Sequence, residues 1–338
     1  MIKIAINGFG RIGRLAFRKI LEEKDMEVVA INDLTDTKML SHLLKYDTAQ
    51  GIFDKEISFD DENIIVEGKK TKVFKESDPE NLPWKELDID IVLECTGVFT
   101  KKDLAMKHIN SGAKRVIVSA PSDGDVKTIV YNVNHEDIDK DDVIISAASC
   151  TTNALAPAAK ILNDNYKIVI GYMNTIHAYT NDQNLLDLPH KKGNLRRARA
   201  AASNVVPSST GAGKAIGKVI KELDGKLDGI ALRVPVISGS IIELVCELEK
   251  STTEEEINEL FKKCQNETIG YNDEEIVSSD VVGTTFGGIF DSTLTKIIKN
   301  DSKELVKISV WYDNEMGYTS QMIRTCKYLG ERLWKKRE

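Results

Sequence analysis

The stretch Ile2-Lys3-Ile4-Ala5-Ile6-Asn7-Gly8-Phe9-Gly10-Arg11-Ile12-Gly13 decides the fold. A short apolar run ends in glycines spaced Gly-x-Gly-x-x-Gly, and an amphipathic stretch, Arg11–Glu23, follows at once. Strand, glycine turn and helix in that order make a βα unit. Gly8 permits the tight turn, Gly10 lets backbone approach a pyrophosphate, and Gly13 lets helix and strand pack closely. The helix start adds free N–H groups and a dipole that favours an anion. The next apolar run, Val28–Ile31, leads into Asn32-Asp33. A carboxylate about 20 residues beyond the glycines accepts hydrogen bonds from an adenosine ribose and repels the extra phosphate of NADP. The pattern predicts an NAD site. A glycine turn in an unrelated βα unit, with a solvated aspartate, is the competing reading.

Working outward, the alternation continues. Ile91–Cys95, Val116–Val118 and Val143–Ser146 read as buried strands, with Lys102–Ser111 as a helix among them. Continuous apolar strands alternating with helices predict an α/β fold with a Rossmann-type parallel sheet covered on both faces. Ile52 to Phe74 reads instead as short antiparallel strands turning at Glu67-Gly68-Lys69. The character changes after Cys150, where longer strands appear at Lys167–His177, Gly229–Pro235, Ile241–Glu249 and Leu305–Tyr312. Helices are expected from Ala212 to Leu223, after the capping-box-like Ser251-Thr252-Thr253-Glu254-Glu255-Glu256, and from Ser320 to about Lys335. The expected organisation is an NAD-binding domain over 1–149, completed by a C-terminal helix at 316–338. A catalytic α+β domain with a mixed or antiparallel sheet is expected over 150–315.

Composition bounds the function. The 338 residues are 41% hydrophobic and carry a net charge of -7, so no global basic field collects nucleic acid. Small basic clusters such as Lys191-Lys192 and Arg196-Arg197-Ala198-Arg199 suit a small anion. No apolar run approaches the roughly 20 residues of a membrane span. The cysteines (Cys95, Cys150, Cys246, Cys264, Cys326) fit neither a disulfide framework nor a metal spacing, so a reducing cytoplasm and no metal are expected.

Ser149-Cys150-Thr151-Thr152-Asn153 lies between an apolar strand and the helical stretch Ala154–Leu162. A cysteine near a helix N-terminus has its thiolate favoured by the dipole. Pro157 suits a first turn better than an interior, so the helix is expected to start after Cys150 or to be distorted. A nucleophilic thiolate attacking an aldehyde needs a base, and His177 at a strand end is the candidate. Spacing alone leaves open a buried cysteine and a satisfied histidine.

Several motifs occur in order: Asn7 to Arg14, Ser149-Cys150-Thr151-Thr152-Asn153, Thr175-Ile176-His177-Ala178-Tyr179-Thr180-Asn181-Asp182, Arg197–Ala201 with Pro207–Gly211, Arg233-Val234-Pro235 and Trp311–Glu315. Together they resemble the phosphorylating glyceraldehyde-3-phosphate dehydrogenase family over essentially the whole chain. The resemblance implies that Cys150 is the nucleophile and His177 its base. It implies that Thr180 and Arg233 hold the substrate phosphate. Ser149, Thr151, Thr210 and Gly211 would hold the attacking inorganic phosphate, with Arg197 as companion. Asn314 would fix the nicotinamide amide beside Tyr318, and Arg11, Ile12, Asp33, Thr96, Gly97 and Ser119 would line the cofactor. Leu34 and Leu188-Pro189 resemble NAD-using members, and a homotetramer is implied because the loop bearing Leu188 reaches a neighbouring subunit in the family.

The sequence also departs from the pattern. Ala154 replaces a common second cysteine, Lys191–Asn194 looks longer than the usual loop, Val236–Ser240 differs after Arg-Val-Pro, and Met316 replaces a frequent tryptophan. The expected reaction is oxidation and phosphorylation of glyceraldehyde 3-phosphate with NAD and inorganic phosphate to 1,3-bisphosphoglycerate. An erythrose-4-phosphate dehydrogenase, or a non-catalytic RNA- or surface-binding protein on the same fold, are the alternatives.

Overall fold

The apolar run that opens the chain becomes the central strand of the first sheet. The computed structural model describes residues 1–300 and 303–334. The first elements are β1 (Ile2–Asn7), α1 (Arg11–Ile20), β2 (Met26–Asn32), α2 (Thr37–Lys45), β3 (Ile57–Phe59), β4 (Asn63–Val66), β5 (Lys69–Phe74), β6 (Ile91–Glu94), α3 (Lys102–Asn110), β7 (Arg115–Val118), β8 (Lys127–Thr128) and β9 (Ile144–Ser146). The strands form one sheet in the order β3-β4-β5-β2-β1-β6-β7-β9-β8. β1 pairs in parallel with β2 on one side and β6 on the other, so the strand order reverses there. Crevices outside the carboxyl ends of strands open at such a switch point. Only β4 runs against its neighbours. Glu67 and Gly68, with φ of 50° and 76°, make the two-residue turn that leads into β5. Positive φ at both central residues matches the twist of a tight hairpin. Ala5, Ala30, Val92, Val116 and Trp84 are buried together in one core beneath this sheet.

The second set is α4 (Cys150–Tyr166), β10 (Ile168–Ala178), β11 (Val206–Ser209), α5 (Ala212–Val219), β12 (Leu227–Val234), β13 (Ser240–Leu248), α6 (Glu254–Cys264), β14 (Ile269–Asn272), β15 (Gly288–Asp291), β16 (Lys296–Lys299), β17 (Glu304–Tyr312) and α7 (Met316–Trp334). Its sheet runs β11-β12-β10-β13-β17-β15-β14, with β16 added on β17. β10 is parallel to β12 and β14 to β15, while the other pairs are antiparallel, so the sheet is mixed as expected. The chain divides into two compact units, Met1–Ala148 with the segment from Thr319, and Ser149–Tyr318. Within the first unit, Lys327 of α7 pairs with Glu23 at 2.7 Å and Arg332 donates to the Ile138 carbonyl at 2.7 Å. No helix among the described residues is long and apolar enough to cross a membrane.

Several boundaries differ from expectation. α1 stops at Ile20 rather than Glu23, because Glu22 and Glu23 turn back onto the carbonyls three residues earlier. The helix expected over Ala212–Leu223 ends at Val219 and continues only as a tighter turn at Lys221–Leu223. α7 begins at Met316, where the helix completing the first domain was expected and four residues before the Ser320 read from its amphipathic pattern, and the expected end at Lys335 lies outside the described residues. α2 was not foreseen, although Asp36 caps it by accepting from the Met39 N–H at 2.8 Å. α6 starts as expected, with Thr253 and Glu256 completing a reciprocal capping box.

Pro157 marks a larger correction. α4 starts at Cys150 itself and runs through Pro157 to Tyr166. Proline inside a helix removes one backbone bond and costs about 3 kcal/mol or more. Ala154, Leu155, Ala156, Ala158, Ala159 and Leu162 are all fully buried, and burial on every side of the helix outweighs that loss.

Candidate active site

In the first unit the ends of β1, β2 and β6 border a cleft of about 470 Å³ lined by Asn7, Gly8, Gly10, Asp33, Leu34 and Thr96 among others. Gly8 has φ of 90°, and a Cβ there would sit 2.7 Å from the Thr96 nitrogen. At Gly13 a Cβ would come within 2.1 Å of the Gly8 carbonyl. Gly10, the cap of α1, meets nothing within 4 Å, so only this glycine leaves open space at the helix start. That arrangement fits a pyrophosphate drawn close to backbone. Asp33 accepts from Phe9 N–H at 2.8 Å and Thr35 N–H at 2.9 Å, which fixes its carboxylate at the end of β2. Leu34 beside it is 68% exposed, presenting an apolar wall to the cleft. Arg11 is tied to buried Asp47 at 2.5 Å, and Ile12 lies in the first turn of α1. This pairing, with backbone bonds from Ala49 and Gln50, holds the Asp47 carboxyl below its usual range against the opposing effect of burial. Gly97 turns with φ of 71°, and the Ser119 N–H donates to the Glu94 carbonyl at 2.9 Å. The residues present fit NAD.

In the second unit, Ser149 caps α4, its hydroxyl accepting from Thr152 N–H at 3.1 Å, so Cys150 is the first helical residue. His177 on β10 stands in register with Arg233 on parallel β12. Cys150 Sγ lies 3.4 Å from His177 Nε2. The opposite ring nitrogen, Nδ1, is 2.6 Å from the Ala178 carbonyl and 2.8 Å from Arg233 Nη1. A guanidinium has only protons to offer. A carbonyl can only accept, so Nδ1 cannot serve both neighbours; we assign the ring proton to Nδ1, donated to the carbonyl at the shorter distance, and Arg233 Nη1 donates to that same carbonyl at 3.0 Å instead of to the ring. Nε2 then presents its lone pair to the sulfur. Below the pair, the buried Tyr312 hydroxyl joins Thr151 Oγ1 at 3.0 Å to Thr175 Oγ1 at 2.8 Å.

Burial governs the electrostatics. It pushes the His177 pKa down to about 3, with help from the charge of Arg233, so the imidazole is neutral. Burial also raises the Cys150 thiol, although Arg233 and hydrogen bonds at Thr151 pull the other way. Desolvation of a charged sulfur therefore opposes the thiolate that the helix start favours. Neither group ionises readily alone. A proton passing from Sγ to Nε2 changes no net charge, so burial opposes that transfer much less.

Arg233 and Arg197 form the cationic part of the site. Arg197 pairs with Asp182, which also accepts from the Thr180 hydroxyl. Among the described residues no carboxylate pairs with Arg233, and the Nε atoms of both arginines are buried without a partner. Burial and the neighbouring Arg233 lower the Arg197 pKa, so an anion between them relieves both. Thr210 and Gly211 precede α5, with Thr210 Oγ1 accepting from Ala212 N–H at 3.2 Å and Gly211 as the cap. The Thr151 hydroxyl is instead turned inward onto Tyr312, so any contact it makes with an anion is through backbone. Asn314, 6% exposed, has its Oδ1 held by Ser240 at 3.0 Å, and buried Tyr318 lies in the first turn of α7. Asp182 and Tyr312 went unassigned in the sequence reading, although both lie inside motifs it singled out.

A dinucleotide crevice at a strand switch point and a cysteine–histidine pair at a helix start define a nicotinamide-dependent oxidoreductase of the covalent type. Residues 2–102 match the model of the glyceraldehyde 3-phosphate dehydrogenase NAD binding domain, and residues 149–314 that of the same family's C-terminal domain. A glyceraldehyde-3-phosphate dehydrogenase from Clostridium pasteurianum is 61% identical over 331 residues, covering 98% of this chain and 99% of the relative. The same enzyme from Clostridium acetobutylicum is 60% identical over 331 residues, and that from Streptococcus pyogenes 54% over 332, each covering 98% of this chain and 99% of the relative. The chain belongs to the glyceraldehyde 3-phosphate dehydrogenase family, and its cofactor is NAD.

Proposed function

We propose that the chain oxidises and phosphorylates glyceraldehyde 3-phosphate through a thioester on Cys150. The observation that carries this reading is the 3.4 Å contact from Cys150 Sγ to a His177 nitrogen assigned as unprotonated. Sγ bonds to the aldehyde carbon and its proton reaches the new oxygen, giving a hemithioacetal. His177 Nε2 then takes that hydroxyl proton as the carbonyl re-forms and the thioester results. NAD, held by the glycine loop and Asp33, supplies the hydride acceptor for this oxidation. A phosphate oxygen next attacks the thioester carbon, the C–S bond breaks, and the sulfur recovers a proton from His177. The neutral pair is restored and an acyl phosphate leaves.

Arg233, whose buried Nε has no partner and with which no carboxylate pairs among the described residues, supports binding of the substrate phosphate together with Thr180. The starts of α4 and α5, two helices in contact, with Ser149, Thr151, Thr210 and Gly211, support a second anion site for the attacking phosphate, with Arg197 as its companion. Asn314 is assigned to the nicotinamide amide. A homotetramer is supported by apolar surface that a monomer leaves open. Ile170, Tyr172, Val245 and Leu305 are exposed around one groove of the second sheet, and the 184–195 loop exposes Leu185, Leu186, Leu188 and Leu195. A cytoplasmic location follows the same reading.

The test is NADH formation from glyceraldehyde 3-phosphate, with NAD or NADP and with or without inorganic phosphate. Sustained turnover only with NAD and phosphate is expected. Full turnover without phosphate, with erythrose 4-phosphate preferred, would reverse the assignment.

A further inference from the structure

Under the crevice of the first unit lies a buried polar chain that does not touch the reaction. Glu94, at the end of β6, is 1% exposed, and His108 on α3 is fully buried. Trp84 Nε1 donates to His108 Nδ1 at 3.0 Å. That bond makes Nδ1 an acceptor, so the ring proton sits on Nε2, which faces Glu94 Oε2 at 3.2 Å. Asn7 Nδ2 donates to the same oxygen at 2.5 Å. Glu94 Oε1 accepts from the Thr96 N–H at 2.8 Å and from the Thr96 hydroxyl. The chain continues sideways, since Asn7 Oδ1 accepts from Asn32 Nδ2 at 2.7 Å and Asn32 binds the Glu76 backbone through both its amide groups.

One carboxylate thus gathers four donors, from β1, from the turn just after β6 and from α3. A buried carboxylate is costly unless its oxygens are filled, and a filled network holds its members in one arrangement. The two members it holds most tightly, Asn7 and Thr96, both line the cleft. They are also where the glycine loop meets the opposite wall, since Gly8 packs onto Thr96 with no room for a Cβ. Thr96 therefore offers the cleft no amide proton and no hydroxyl proton, because Glu94 takes both. Its contribution is spacing.

We propose that Glu94 is a positioning residue for NAD, fixing the width and register of the crevice through Asn7 and Thr96, with His108 and Trp84 setting its orientation. The proposal rests on the NAD reading of this cleft. Glu94→Gln keeps the shape but replaces one acceptor with an NH2 that must face a donor. Trp84→Phe removes the N–H that sets the His108 tautomer and also shrinks a buried ring, so its melting temperature is read beside its NAD affinity. Trp84 is fully buried and does not line the cleft, so its effect on NAD is indirect, and a loss of affinity larger than the loss of stability points to the route through His108 and Glu94.

The experiment is calorimetric titration of each protein with NAD, alongside thermal melting, kcat at saturating NAD, and the rate of Cys150 alkylation. Glu94→Gln should weaken NAD binding about 10-fold or more, the size expected for a lost charge-assisted bond. Trp84→Phe should weaken it in the same direction by less. The kcat at saturation and the alkylation rate, which reports the second unit, should hold in both. Lower melting temperatures with unchanged NAD affinity in both variants would mean that the chain is merely structural, and would overturn the proposal. If Glu94→Gln does not fold, Trp84→Phe decides alone. A wild-type protein that fails to bind NAD would instead sink the cofactor reading, and the proposal with it.

Discussion

Replacing His177 with asparagine separates its two consequences. The ring is 2% exposed, and its pKa falls from 6.5 to about 3 because burial and the charge of Arg233 disfavour imidazolium. Between those values the unfolded chain binds a proton that the native protein refuses. The unfolded state therefore gains with falling pH, and stability is lost as pH drops below 6.5 toward 3. At pH 5 the gap is one and a half pH units, which amounts to about 2 kcal/mol at the usual value of a pKa unit. His177→Asn has no such group. Its stability should fall less than wild type between pH 7.5 and pH 5, by about 2 kcal/mol, since titrating groups away from His177 cancel in the comparison and its neighbours Cys150 and Arg233 keep their charge across that range. Denaturant unfolding of both proteins at the two pH values measures this, at matched protein concentration because assembly contributes to stability. The same variant should lose turnover by about 10²–10⁴-fold, as expected for removal of a positioned base. Identical acid slopes would show that His177 is charged or hydrated in the native protein, and the neutral-pair account of the site would be wrong.

Three further outcomes follow from the geometry. Gly10→Ala should leave the melting temperature unchanged yet weaken NAD binding, whereas Gly13→Ala should also destabilise the fold, because its Cβ would collide with the Gly8 carbonyl; melting curves and titrations on both variants test the contrast. Asp33→Ser should narrow the preference for NAD over NADP by admitting the extra phosphate, read as the ratio of the two kcat/KM values, and an unchanged ratio would free Asp33 from that role. Tyr312→Phe leaves the Thr151 and Thr175 hydroxyls without the bond that joins them and should cost about 1–3 kcal/mol in unfolding measurements.

Much of this was legible in the chain because it is written locally. The glycine loop, the strand before it and Asp33 lie within a single βα unit, and the Thr253–Glu256 capping box is contained in four residues. Period and spacing reach that far. Cys150 and His177 stood out as candidates, but their contact joins a helix start to a strand end, and only family resemblance paired them in advance. What was missed depends on burial and on partners distant in sequence. The start of α4 at Cys150 and its passage through Pro157 follow from packing around the helix, which outweighs propensity. The raised thiol pKa reflects desolvation, whereas the sequence displays only the helix dipole. Asp182 gains meaning from Arg197, and Glu94 from Trp84, His108, Asn7 and Thr96, none of which a periodic pattern links. The inward turn of the Thr151 hydroxyl onto Tyr312 likewise joins residues 161 positions apart.

The central claim is a thioester on Cys150 that phosphate resolves. The most direct test mixes enzyme with excess glyceraldehyde 3-phosphate and NAD in phosphate-free buffer and follows NADH while the protein is sampled by peptide mass spectrometry. The account predicts a burst of about one NADH per subunit, as acyl-enzyme accumulation requires. It also predicts an acyl adduct on Cys150 alone, and adduct loss with resumed turnover when phosphate is added. Steady NADH production without phosphate and with no adduct on Cys150 would contradict it.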